Sequence, residues 1–458
     1  MNLLAEGITL YGQTYDIYLD WLGQLIRWLI ETVGNVGVGI IVFSLILKII
    51  VMPFDVMQRI TMRKQNAQMK ENQEKMAKLQ KQYANNKELY NQKVMEMYRE
   101  NGFSLFSSCL PMILSIVIFI VAIGAFQDYA QYASVNTYND MVKSYNAKLE
   151  NYCPDLEVGE YTVQEDGDVL VVKGTNADDY IFYTVAKPAE GEATKEYIQG
   201  AKKTYYVDDT KLYVEGGEFK TEIDKLLEEK NEDGSQKYSS VQLASKIFMM
   251  SLAKQAVAED YENTISYKTK FLWIKNIWMT DSTFAHPLYE NDNFETKINE
   301  KKFNVEGKKV SYSVLPTDVY SVSTYRTITE NLNDYKSAPN GYFVMILLSV
   351  GTILLQQWVT MRAQKEQSQF STVDGQGAQQ QKMTMIIMTV MFAFFSFSYS
   401  AAFSIYMVTS NLLSLVSTLV INKIVDKSIE KKEEAALQAK YNHRFPGRKY
   451  DKNDTDKK

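Results

Sequence analysis

Residues Met383–Ile421 read MTMIIMTVMFAFFSFSYSAAFSIYMVTSNLLSLVSTLVI, 39 residues without a charge between Lys382 and Asn422. A helix crossing the hydrocarbon core of a bilayer needs about 20 apolar residues. The stretch is therefore read as two spanning helices, residues 383–399 and 402–422, joined by a tight turn near Ser398–Ala401. Three more apolar blocks precede it. Val36–Phe54 carries one charge, Lys48, whereas Phe103–Phe126 and Gly341–Met361 carry none. Charge-free runs of this length mark membrane spans rather than buried helices of a soluble protein.

The average composition hides this pattern. The chain has 458 residues, 46% hydrophobic and 23% charged, because apolar blocks are averaged with one long polar stretch. Two histidines exclude a His-rich metal site, and two cysteines, Cys109 and Cys153, exclude a disulfide framework or a Cys₄ zinc site. A net charge of −5 gives no reason to expect DNA as a partner. No nucleotide loop, zinc-ligand spacing or G-x-S-x-G is present. The chain is thus not expected to be an enzyme or to hold a cofactor.

Lys and Arg in short flanking segments set orientation. Residues 55–103 carry ten Lys/Arg against six Asp/Glu, and the tail from Lys423 carries eleven against seven. The first 33 residues carry one Arg against four acids. This places residues 55–103 and the C-terminus in the cytoplasm, with the N-terminus and the acidic stretch outside. The start, MNLLAEGITLYG, has no basic stretch and no lipidation cysteine, so no cleavable signal peptide is expected.

The expected architecture is an all-α membrane core of five transmembrane helices with a cytoplasmic helical hairpin, plus an extracellular α+β insert. In chain order the segments are an outer amphipathic helix (1–33), a first span (34–55), the hairpin (56–102) and a second span (103–127). The insert (128–340), a third span (341–362), a cytoplasmic loop (363–382), the spans 383–399 and 402–422, and a basic tail (423–458) follow.

Within 1–33, the stretch Tyr15–Val33 reads as one interfacial helix. Asp16, Asp20, Gln24, Arg27 and Glu31 make a polar stripe opposite Tyr18, Trp21, Leu22, Leu25, Trp28 and Leu29. An ordinary amphipathic helix packed on the external domain is the alternative. In the hairpin, Asn85-Asn86 break the helix, and Met62, Met69, Met76 and Tyr83 recur every seven residues as an apolar seam. Flexible methionines suit promiscuous contact; packing against the partner helix would use the same seam. In the insert, Tyr161–Tyr183 and Thr204–Val214 alternate as strands do, and Gln131–Asn151, Glu218–Glu229 and Val241–Tyr261 read as helices. Asp166-Gly167-Asp168 reads as a hairpin turn, and the abundant tyrosines and acids read as solvated surface.

Lys48 is the one ionisable residue inside an apolar span, five residues before Pro53. It lies about 8 Å from the cytoplasmic end at about 1.5 Å per residue, so snorkelling and function are both open. Ser44 is one turn earlier. Ser115 on the second block, Gln356 on the third and Tyr406 on the last add polar groups at depth. Such groups need partners or water in lipid, so they suggest either a hydrated pocket or interhelical glue.

The order LILKIIVMPF, a Gln/Lys/Met-rich hairpin, MYRENGFSLFSSCLPMILS and SYSAAFSIYMVTSNLLSLVSTLVINK resembles the YidC family of membrane protein insertases. FLWIKNIWMTDS (Phe271–Ser282) resembles the family's external approach to its third span. The resemblance implies five helices around a groove open to cytoplasm and lipid but closed outside. It gives Lys48 the place of the family's groove arginine, Ser44 its hydroxyl, Gln356 its glutamine, Tyr406-Met407 its aromatic pair and Ser115 another glutamine position. It implies an ATP-independent insertase and chaperone for nascent membrane proteins in a bacterial plasma membrane, with the lipid bilayer as a partner. A ribosome and the Sec translocon stay open as partners. A structural scaffold or assembly chaperone acting through the external domain, and a small-solute transporter, are the alternatives.

Overall fold

The structure is a computed structural model. It describes the backbone of residues 8–100, 105–150, 219–305, 307–315, 319–363 and 376–444, together with 161–166, 169–174, 181–186, 203–205 and 217. Side chains at 105–116 and 161–205, and at scattered positions elsewhere, are outside what is described. The chain divides into two compact units, Met1–Val36 with Ala125–Phe343, and Gly37–Gly124 with Val344–Lys458.

The first unit is α+β. A five-stranded antiparallel sheet has the order β1-β6-β5-β4-β3, formed by Ile8–Leu10 (β1), Tyr161–Asp166 (β3), Val169–Gly174 (β4), Ile181–Ala186 (β5) and Lys203–Tyr205 (β6). β3 pairs antiparallel with β4 in the register Asp166↔Val169, and residues 167 and 168, read as part of a turn, lie outside the described residues. Residues 206–214, read as part of a strand, lie outside the described residues. A three-stranded sheet has the order β2-β7-β8, from Asp16–Ile17 (β2), Lys302–Val305 (β7) and Lys308–Ser311 (β8).

The β2 strand corrects the reading of one helix over Tyr15–Val33. Ile17 pairs with Phe303 and Asp16 with Asn304, so helix α1 runs only over Trp21–Val33. Extended pairing wins there because Tyr15 and Ile17 both enter the core, a period-2 pattern hidden inside the polar stripe. Ile26, Leu29 and Ile30 are the buried apolar side chains of α1, whereas Trp21 and Trp28 are 74% and 60% exposed.

The core of this unit is aromatic, built on the long helix α4 (Leu105–Glu150). Tyr138, Met141, Val142, Tyr145 and Leu149 are all buried, at the i, i+3, i+4, i+7 spacing of one helical face. The Tyr138 ring meets Phe294 at 4.7 Å and Tyr325 at 5.2 Å, and Phe294 stacks on Tyr325 at 4.0 Å. A buried tyrosine usually finds a partner for its hydroxyl, although that of Tyr145 has none among the described residues. Tyr138 donates to the Val319 carbonyl at 2.7 Å, Tyr320 to the Tyr15 carbonyl at 2.7 Å and Tyr325 to the Tyr289 carbonyl at 2.9 Å. Tyr138, Tyr320 and Tyr325, among the tyrosines read as solvated surface, are therefore core. Helices α5 (Lys220–Glu228), α6 (Val241–Asp260), α7 (Asn291–Ile298), α8 (Val322–Ile328) and α9 (Asn333–Ser337) complete the unit.

The second unit is helical. Helix α2 runs without a break from Val36 to Gln82, and α3 over Lys87–Glu100; Asn86 caps α3 by accepting from the Leu89 N–H at 3.0 Å. Helices α10 (Val344–Ala363), α11 (Gln376–Ser398) and α12 (Ala401–Arg444) follow. Among the described residues three helices are long and apolar enough to cross a membrane, at Val36–Thr61, Val344–Arg362 and Ala401–Val425. Met385–Ser398 on α11 is a shorter apolar stretch. The expected second span starts at residues 103 and 104, outside the described residues, and continues on α4. Tyr399 and Ser400 make the turn between α11 and α12, with Phe403 N–H donating to the Ser400 carbonyl at 3.0 Å.

Candidate functional site

Lys48 sits on α2 five residues before Pro53, inside the helix. Proline has no N–H to give to the fourth carbonyl back, yet α2 continues. Continuity lets Lys48 Nζ reach Asp55 Oδ2 at 2.6 Å, seven residues on. Two turns at 3.6 residues each return to nearly the same face. The two side chains are only 12% and 24% exposed. The cation thus has an anionic partner within its own helix. The sequence reading did not single out Asp55, which closes the first span at residue 55.

Ser44 is 1% exposed and its Oγ donates to the Ile40 carbonyl at 2.7 Å. This is how a hydroxyl hides its proton within its own helix.

Polar side chains on α10 tie three helices together. The Ser349 and Ser396 hydroxyls lie 2.9 Å apart, and Thr389 Oγ1 donates to Gln357 Oε1 at 2.7 Å. Position numbers rise on α10 as they fall on α11, so these two helices are antiparallel. Asn411 Nδ2 on α12 donates to Thr352 Oγ1 at 3.4 Å. Gln356 is half-buried one turn beyond Thr352. Sequence reading gave the site role to Gln356, whereas Gln357, Ser349 and Ser396 make the bonds between helices. Tyr406 and Met407 are buried, and the Tyr406 hydroxyl bonds Ser410 one turn on. Two hydroxyls of α12, on Ser404 and Ser417, are buried without a hydrogen-bond partner among the described residues.

Ser115 is helical on α4, but its side chain, like those of Met62 and Met69, is outside the described residues. Met76 is buried, 1% exposed, and Tyr83 is half-buried at the turn between α2 and α3. Among the described residues no hydrogen bond or ion pair joins Lys48, Ser44 or Gln356 to another spanning helix. Nor does any group of three His, Cys, Asp or Glu stand ready for a metal among them.

What the arrangement offers is polarity on apolar helices: one half-buried ion pair, a hydrogen-bonded α10–α11–α12 set, and hydroxyls with capacity to spare. Polar groups in lipid demand partners or water. Nothing in the set is a nucleophile beside a base.

Comparison with known proteins adds the following. The 60Kd inner membrane protein family matches residues 28–158 and 248–428, about two thirds of the chain. A membrane protein insertase YidC of Caldanaerobacter subterraneus subsp. tengcongensis is 38% identical over 98 residues, 21% of this chain and 46% of that one. That of Fusobacterium nucleatum subsp. nucleatum is 32% identical over 110 residues, 24% of this chain and 52% of that one. That of Leptospira interrogans serogroup Icterohaemorrhagiae serovar Lai is 32% identical over 123 residues, 27% of this chain and 18% of that one. The aligned regions span about half the length of the first two relatives and less of the third. No solved structure matches the chain.

Proposed function

Because this chain belongs to the 60Kd inner membrane protein family, we propose that it is a membrane protein insertase, a multi-pass protein that moves a polar segment of a nascent client across the bilayer without covalent chemistry. The observation that carries this is the coincidence of family membership with polar side chains at depth on α2, α10, α11 and α12. Five spans, with the apolar part of α4 as the second and α11 as the fourth, surround a hydrophilic groove. The N-terminus and the first unit lie outside and the C-terminus lies in the cytoplasm. Helix α1 lies at the outer interface, a reading supported by its exposed Trp21, Leu25 and Trp28.

A client's hydrophilic tail enters from the cytoplasm, where the α2–α3 hairpin receives it. Water and the groove's polar groups replace bulk hydration, and Lys48 attracts acidic residues of the tail in exchange for Asp55. Gln356, Tyr406, Met407 and Ser115 line the path. Burial of the client's apolar span in lipid, worth about 25 cal/mol per Å² of apolar surface, then drives release. The client is a nascent membrane protein; the basic tail from Lys423 meets a ribosome, and work beside the Sec translocon is compatible with the same groove.

The test is reconstitution of the purified chain into protein-free liposomes with a short single-span client. Protease-protected client should appear with the chain present and not in empty liposomes. Equal protection in both would end the insertase reading. Uptake of a small solute by the same vesicles would favour a transporter.

A further inference from the structure

Among the described residues, two non-glycine residues have positive φ, Leu272 at 53° and Phe343 at 64°. L-residues rarely adopt this conformation, and leucine and phenylalanine are poor choices for it. Leu272 sits at the tip of a tight turn. The Phe271 N–H donates to the Ile274 carbonyl at 3.1 Å and the Ile274 N–H to the Phe271 carbonyl at 3.0 Å. A two-residue turn with positive φ normally takes Asn or Gly. Here it carries Leu-Trp, and Leu272 is 68% exposed. The strain therefore does not serve burial of the side chain; it holds an apolar group out of the protein.

The same segment exposes other large apolar groups. Phe284 is 84% exposed, Tyr267 65% and Tyr342 57%. Phe284 stands edge-on to Phe343 with ring centroids 6.0 Å apart. Lysines border the turn: Lys270 lies over the Tyr267 ring at 4.7 Å, and Lys275 follows the turn.

The backbone that follows the turn, from Lys275 to Ala285, is bonded to residues 340–343, which lead in the chain to α10. The Lys275 N–H donates to the Asn340 carbonyl at 3.1 Å, and the Asn276 N–H to Asn340 Oδ1 at 2.8 Å. Asn340 Nδ2 returns a bond to the Asn276 carbonyl at 2.9 Å. The Asn340 N–H donates to the Ala285 carbonyl at 2.8 Å, the Gly341 N–H to the Ser282 carbonyl at 3.1 Å and the Phe343 N–H to the Asp281 carbonyl at 3.0 Å. The Tyr342 N–H donates to Asp281 Oδ1 at 2.9 Å. Asp281 is fully buried. A Cβ at Gly341 would lie on its carboxylate, so only glycine permits this approach. The lock is therefore rigid, and it ends one residue before a helix apolar enough to span the bilayer.

We infer that Leu272, Phe284 and Tyr342 form an apolar collar on the first unit that dips into the lipid bilayer. The occupant is lipid rather than another protein, because the collar is continuous in the chain with a spanning helix and is bordered by aromatics and lysines. Aromatic rings and lysines are the groups that settle at a membrane interface.

The experiment uses the full chain in proteoliposomes, with Cys109→Ser and Cys153→Ser as background. An environment-sensitive fluorophore is placed at Leu272→Cys, Phe284→Cys, Leu347→Cys within α10, or Asp233→Cys in an exposed loop of the first unit. Lipids carry a nitroxide either near the headgroup or deep in the chain. The proposal expects the probes at 272 and 284 to be quenched most by the shallow nitroxide, the probe at 347 to be quenched in lipid, and the probe at 233 to be unquenched. Water-like, unquenched emission at 272 and 284 beside quenching at 347 overturns it. Blue-shifted but unquenched emission also overturns it, since the groups would then be covered by protein. An unquenched probe at 347 overturns both the collar and the span. Leu272→Gly should melt at or above the parent temperature, because glycine suits the turn; a lower melting temperature would mean that the leucine is packed, and would sink the collar.

Discussion

The Lys48–Asp55 pair changes what a cation in the first span can be expected to do. A lone lysine would attract any acidic client; a paired one must first exchange its partner. Half-buried ion pairs are worth about 1 kcal/mol, roughly five-fold in an equilibrium. Asp55→Asn should therefore raise insertion of clients with acidic tails by up to about five-fold and leave neutral-tailed clients unchanged, as scored by protease protection in liposomes. Lys48→Arg should be tolerated, and Lys48→Ala should impair acidic clients most. Equal insertion of acidic and neutral clients by all three variants would leave Lys48 as a snorkelling anchor. Lys48 and Ser44 were legible because a charge and a hydroxyl stand out in an apolar run. Asp55 was not, since it stands where the apolar run gives way to a charged segment and looks like one charge among many.

A second titratable group lies outside the membrane. Lys336 is buried, with Nζ donating to Asn291 Oδ1 at 2.7 Å and Asn333 Oδ1 at 3.2 Å. Burial, helped by Arg326 and opposed by Glu330, lowers its pKa from 10.5 to about 8. Between these values the unfolded chain holds a proton that the folded chain has lost, so stability should rise with pH in that window. Buried tyrosines act oppositely above pH 10, because burial raises Tyr129 from 10.0 to about 12. The rise should thus be seen between pH 8 and 10 in thermal melts, and Lys336→Met should flatten it. A parent and variant with parallel profiles would mean that Lys336 keeps its charge.

At the scale of elements, what could be read depended on whether local pattern and tertiary partner agreed. The Asn85-Asn86 break falls where α2 gives way to α3, since Asn caps helices and few residues compete for that place. Tyr15–Ile17 failed because a stripe of polar residues looked helical while the partner strand lay almost 300 residues away. The tyrosine core failed for a related reason. Tyrosine carries a hydroxyl, and only the fold supplies the carbonyls of Val319, Tyr15 and Tyr289 that accept it. In the hairpin, Met76 is packed rather than presented. Met76→Ser should then lower hairpin stability by roughly 2 kcal/mol, a large-to-small cost, read as faster proteolysis between α2 and α3. Replacing residues 62–98 by a short linker tests the capture role itself: insertion should be lost while the spanning helices stay folded, and normal insertion would show the hairpin to be dispensable.

At the scale of the molecule, the two units differ in what sequence could say of them. The helical unit follows from a solvent rule that needs no partner: apolar runs of sufficient length must lie in lipid. The first unit depends on pairings between distant segments, such as β1 with β6 across almost 200 residues, and no local pattern encodes those. Its two sheets also stand apart in topology. Strands β3 to β6 pair only with one another and with the three residues of β1, whereas β2, β7 and β8 form a separate sheet and the aromatic core is built from α4, α7 and α8. Removing residues 155–215 therefore takes away most of one sheet and leaves the second sheet, the core and the lock at Asp281 and Gly341 intact. If the groove performs insertion, this deletion should keep insertion within about two-fold of the parent, a change under about 0.5 kcal/mol, and should keep the melting transition of the aromatic core. Loss of insertion with that transition preserved would instead place the sheet in the working machinery, which is the outcome a scaffold acting through the external domain requires.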